Sequence, residues 1–83
     1  MQSTPTKQDD PDTLESWTAN TPAASYRIQL VRRPRAGLEL TAWKDLRHGA
    51  GFRVARQQRF ETPGRARQTM RGWLVEVVEG RVL

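Results

Sequence analysis

The residues with the most chemistry to offer are arginines. Twelve of the fourteen basic side chains in this chain are arginine, and eight of them (Arg27, Arg32, Arg33, Arg35, Arg47, Arg53, Arg56 and Arg59) fall between positions 27 and 59, with Trp43 among them. A guanidinium forms bidentate hydrogen bonds to phosphate and to guanine edges and stacks on bases, which a lysine ammonium cannot do. The summed field of such a cluster attracts phosphate whatever the base sequence, so nucleic acid is the simplest partner. A GC-rich genome enriches arginine with no functional cause, and a solvated basic surface is common on small domains. Composition alone leaves both explanations open.

Other chemistries find little support. The chain has no cysteine, which rules out a disulfide framework and a Cys-ligated zinc site, and its single histidine, His48, cannot form a multi-histidine metal site within one chain. General acid–base catalysis needs positioned pairs of titratable groups, whereas Glu39, Asp45, Glu61, Glu76 and Glu79 are scattered singly. Gly49 and Gly51 lack the following glycine and helix of a phosphate-binding loop, and there is no Walker lysine. The expectation is a non-enzymatic protein with no cofactor or metal. No apolar run approaches the roughly 20 residues that cross a bilayer, and the N-terminus lacks the basic-then-apolar order of a secretory signal, so the expected compartment is the cytoplasm.

The charges divide the chain in two. Residues 1–24 carry one base, Lys7, against Asp9, Asp10, Asp12 and Glu15, a net of −3; residues 25–83 carry thirteen bases against five acids, a net of +8, and together these give the overall +5. The first part is rich in Ser, Thr, Pro and Asp and poor in aliphatic side chains, so it is expected to be a flexible, disordered acidic tail. One turn of helix carrying Leu14 and Trp17 is an alternative, since Asp12 and Glu15 have capping-box spacing. Such a tail could compete with an anionic partner for the basic body.

The elements that would position the arginines can be read from periodicity. Tyr26, Ile28 and Leu30 alternate with Arg27, Gln29 and Val31, predicting a first strand over 26–33; Leu38, Leu40 and Ala42 alternate with Glu39, Thr41 and Trp43, predicting a second. Between them Arg32, Arg33, Pro34, Arg35 and Gly37 mark a turn, with Gly37 able to take a positive φ. A glycine-rich connection at 48–51 leads to a third strand with Phe52, Val54 and Phe60, whose polar middle calls for a bulge or an exposed hairpin. Thr62 and Pro63 signal helix entry, and Ala66, Met70, Trp73, Leu74 and Val77 recur at helical spacing to give a helix over about 63–79. Gly72 and the β-branched cluster Val75, Val77, Val78 and Val82 leave open a short helix followed by a strand over 73–78. The expected fold is α+β, a three-stranded antiparallel sheet packed against one C-terminal helix behind a disordered N-terminal tail.

A three-stranded sheet followed by a packed helix, with Phe60, Glu61 and Thr62 closing the last strand and Ala66 near the helix start, resembles the AP2 and integrase arm-binding type of DNA-binding domain. That resemblance implies a sheet face laid in the major groove, with Arg27, Arg32, Arg53 and Trp43 contacting DNA. Two functions follow as expectations. One is a nucleic-acid-binding module, of DNA or RNA, acting through Arg27, Arg32, Arg33, Arg35, Trp43, Arg53, Arg56 and Arg59. The other is a small phage- or plasmid-type regulator that docks on an acidic surface of a larger protein through the same basic, tryptophan-containing surface. No membrane role is expected, because the helix's apolar stripe is used as core.

Overall fold

The computed structural model describes residues 5–8, 13–35, 37–47 and 49–83. Its centre is the pair of strands β3 (Ser25–Arg33) and β4 (Gly37–Asp45), antiparallel and in register over their full length from Ser25 opposite Asp45 to Arg33 opposite Gly37. Alternation puts Tyr26, Ile28, Leu30, Leu38, Leu40 and Ala42 on one face, where all six are buried. Burying side chains of this size stabilises by about 1.5–3 kcal/mol for each large aliphatic or aromatic one. The turn joining the strands needs two left-handed residues, Arg35 at φ 66° and Gly37 at φ 78°. A Cβ on Gly37 would lie 3.0 Å from the Phe60 carbonyl oxygen, so glycine there meets both a conformational and a steric demand.

On one side of this pair lies β5 (Arg53–Phe60), and on the other β2 (Glu15–Asn20) and then the three-residue β1 (Thr6–Gln8), in the antiparallel order β1-β2-β3-β4-β5. The expected three-stranded sheet is therefore corrected to four strands of six residues or more, with a short edge strand beside them. The expectation of a disordered tail fails over residues 13–24. Composition argued for disorder because β2 has few aliphatic groups of its own, but β3 supplies its hydrogen-bond partners over all six positions and a buried surface for Ala19 and Trp17. The hairpin between them is tied by Thr21, whose hydroxyl accepts from the Ala23 and Ala24 amides and donates to the Ala24 carbonyl. Glu15 opens a strand and not a helical turn; Asp12 lies outside the described residues.

The chain ends in one helix, α1 (Pro63–Val78), packed on the apolar face through Ala66, Met70, Trp73 and Val77. The helix prevails over a strand at 73–78 because helical spacing brings Trp73 and Val77 onto the stripe with Met70, whereas strand alternation would part them from it. Pro63 starts the helix at its first turn, as expected, although the Thr62 side chain makes no capping bond. Gly80, at φ 84°, ends it. The Gly80 amide donates to the Val77 carbonyl and the Arg81 amide to that of Glu76, the paired bonds of a Schellman cap. Leu83 then returns to the core, and its carbonyl accepts from Lys44 Nζ at 2.8 Å. No helix among the described residues is long and apolar enough to cross a membrane.

Candidate functional site

Because α1 covers one face of the sheet, the side chains at alternate register positions are left on the other, where no described element packs. Three rows cross this open face. At one end Thr18, Arg27, Trp43 and Val54 stand opposite one another on β2, β3, β4 and β5. In the middle run Ser16, Gln29, Thr41 and Gln57, where the Gln29 amide donates to the Ser16 hydroxyl at 3.3 Å and the Gln57 amide to the Thr41 hydroxyl at 3.2 Å. Next come Val31, Glu39 and Arg59, with the Arg33 guanidinium 3.6 Å from the Glu39 carboxylate.

One irregularity decides which residues share this surface. Ala42 is opposite Arg56 and Trp43 is opposite Val54, so Ala55 is an extra residue, a β-bulge in β5. A bulge reverses the alternation beyond it. Phe60, Gln58 and Arg56 have helix-side register positions, while Val54 moves to the open face beside Trp43. Phe52, just before the strand, follows it there: the Arg27 guanidinium carbon lies 5.3 Å from the centre of its ring. Arg27, Trp43, Phe52 and Val54 thus form one cluster. Phe52 is 45% and Val54 57% exposed, unusual for apolar groups in so charged a domain.

The β4–β5 hairpin that carries Phe52 is organised by Asp45. Its carboxylate accepts from the amides of Arg47, Gly49 and Gly51 at 3.0, 2.6 and 3.3 Å. Burial works to raise its pKa, but the backbone hydrogen bonds outweigh burial and hold it below the ordinary value of 3.8. Lys44, Arg47 and Arg53 line a shallow cleft with Asp45 on this hairpin. In the sequence Asp45 is one of the five acids scattered over residues 25–83; its place just before a glycine-rich turn is the signal that could have found it. His48 lies outside the described residues.

The eight residues singled out from sequence occupy four places. Arg27, Arg33, Trp43 and Arg59 share the open face. Arg32 and Arg35 are exposed at the β3–β4 turn, and Arg53 is exposed beside the β4–β5 hairpin on the helix side of the register. Arg56 stands apart from all of these: its guanidinium bonds the Glu76 carboxylate on α1 at 2.7 Å and lies over the Trp73 ring at 5.8 Å, so it joins sheet to helix. Sequence reasoning did not single out Phe52, Gln29 or Gln57 for the site. In the acidic segment, Glu15 is likewise engaged, accepting from the Trp17 indole at 2.6 Å and from Arg67 on α1 at 3.3 Å. Among the described residues no three His, Cys, Asp or Glu side chains gather where they could hold a metal ion.

Comparison with known protein families, curated proteins and solved structures returns no match for this chain.

Proposed function

We propose that the protein is a nucleic-acid-binding module that uses the uncovered face of its sheet. The observation that carries this reading is the segregation of one sheet into an apolar face sealed by α1 and an open face bearing Arg27, Arg33, Arg59 and Trp43 around a row of side-chain amides. Guanidinium groups on a firm scaffold contact phosphates, and amides and guanidinium groups offer hydrogen bonds to base edges. Arg47 and Arg53 beside the face, and Arg32 and Arg35 at the far turn, extend the positive field along the sheet. Of the contacts that the resemblance to AP2-type domains implies, Arg27 and Trp43 lie on this face, whereas Arg32 and Arg53 do not, and the sheet has more than the three strands on which that resemblance rests.

The test is a fluorescence-anisotropy titration of duplex and single-stranded DNA of random sequence at about 50 and 200 mM salt. Several phosphate contacts predict a loss of affinity by orders of magnitude between the two conditions. Replacing Arg27, Arg33 and Arg59 together by alanine should flatten that dependence. Absence of binding to either probe at the lower salt rejects the reading. Exposed Leu46, Phe52 and Val54 near the β4–β5 hairpin favour the second reading, docking on an acidic surface of a larger protein, which that result would leave standing.

A further inference from the structure

We infer that the occupant of the open face is a single strand of nucleic acid, with unpaired bases stacked on Trp43 and Phe52 beside the Arg27 guanidinium; this rests on the nucleic-acid reading above. The geometry begins with Arg27 and Trp43 directly opposite each other on β3 and β4, Val54 next in the same row, and the Phe52 ring 5.3 Å from the Arg27 guanidinium. A planar cation is thus set among two aromatic rings and an aliphatic side chain on a surface that no described element covers. Arg27 is exposed, Phe52 is 45% exposed and Trp43 is half-buried, so the rings have firm backing and accessible surface together.

Ring faces and guanidinium planes recognise the faces of bases. In a duplex those faces are occupied by neighbouring base pairs, and only edges and backbone are presented to a protein. In a single strand they are free, and each base stacked on an aromatic side chain contributes affinity whatever its identity. The rest of the face suits the same ligand. Gln29 and Gln57 lie one row away, where amides can meet the edges of stacked bases, and Arg33 and Arg59 lie beyond them, where a continuing backbone would pass. Two carboxylates have register positions on this side: Glu39 is 3.6 Å from Arg33, and Asp45 is held by the amides of Arg47, Gly49 and Gly51, contacts that temper their repulsion of phosphate.

The bulge at Ala55 supports the inference independently. With regular pairing, Val54 and Phe52 would fall on the helix side of β5; the extra residue returns both to the open face. It thereby exposes two apolar groups that a domain with a thin core could have buried.

The experiment titrates four labelled probes into the full chain: an oligothymidylate, an oligouridylate, an abasic oligomer with the same number of phosphates, and a duplex of random sequence. The oligothymidylate or the oligouridylate should bind at least about tenfold tighter than the abasic oligomer and tighter than the duplex, the better of the two telling DNA from RNA. Trp43→Ala and Phe52→Ala should each weaken that binding by roughly 5- to 100-fold, towards the abasic level, with Trp43→Phe retaining most of it. Phe52 lies outside the strands, so Phe52→Ala carries the test even if Trp43→Ala unfolds the domain. Equal affinity for base-bearing and abasic strands, or tighter binding of the duplex, overturns the inference and leaves the nucleic-acid reading intact. No binding to any probe at low salt overturns both and makes a protein surface the occupant.

Discussion

The two faces of one sheet are built from the same strands, residue by residue in alternation, and have opposite fates. On the covered face Leu30, Leu40 and Ala42 are wholly buried beneath α1. On the open face Gln29 and Trp43, their sequence neighbours, are only half-buried, and Thr41, beside Leu40, is buried with its hydroxyl accepting from Gln57. Two charges on the covered side are paired across the interface with α1, Glu15 with Arg67 and Arg56 with Glu76, while Arg32 and Arg53, at helix-side register positions near the sheet's ends, stay exposed. On the open side Arg33 pairs at longer range with Glu39, and Arg27 faces an aromatic ring. The difference teaches that an arginine of the sheet is bound into the fold where its register brings it against α1, as at Arg56, and stays exposed on the open face and at the sheet's ends. Sequence position does not distinguish Arg56 from Arg59, yet one is structural and the other is available to a ligand.

The comparison breaks hardest on the covered side. Leu40→Ala, at a fully buried position, should destabilise the domain by about 2–5 kcal/mol, read from denaturant unfolding, because the close-packed layer cannot fill the void. A loss below 1 kcal/mol would mean that α1 does not seal this face.

The two arginines can be set against each other directly. Arg59→Ala should weaken nucleic-acid binding and lower the slope of log affinity against log salt by about one, with little change in unfolding. Arg56→Ala should leave the slope as it was and cost about 1 kcal/mol of stability or less, since its ion pair is partly open to solvent. The reverse pattern would place the ligand on the helix side.

Asp45 tests the hairpin that holds Phe52 in place. Its pKa is lowered in the folded protein, so its contribution to stability is present above its ordinary value of 3.8 and is lost as pH falls through the lower folded value. Thermal unfolding of Asp45→Asn should therefore fall below that of the parent protein at neutral pH, with the gap closing in the acid range. A gap independent of pH would mean that the three amide contacts do not depend on the carboxylate's charge. The smallest effect is expected of Glu39→Gln, which removes an anion from the open face: binding at low salt should tighten a few-fold, while stability shifts by about 0.5 kcal/mol or less. Weaker binding would show that Glu39 positions Arg33 and does not repel the ligand.

Much of this architecture was legible beforehand, and the failures have physical causes. The strands around Ile28 and Leu40 and the helix through Met70 and Trp73 follow from hydrophobic period, and Gly37 and Gly80 take the positive φ their turns require. The segment containing β2 was misjudged because composition measures what a segment can bury by itself. Trp17 and Ala19 instead use a surface that β3 already provides, and Thr21 ties the hairpin.

The site was legible as a set of arginines and a tryptophan, but not as a constellation. By itself the sequence determined which neighbours alternate, where the helix starts and stops, and how strongly positive residues 25–83 are, because these depend on local sterics and on formal charge. Only the tertiary structure decided which face α1 covers, that Arg56 is drawn to Glu76, and that Arg27 meets Phe52 at 5.3 Å. The first two follow from packing and pairing between elements distant in sequence; the last follows from the single extra residue at Ala55, since one inserted position reverses the parity of a strand and only its pairing with β4 reveals where that insertion falls.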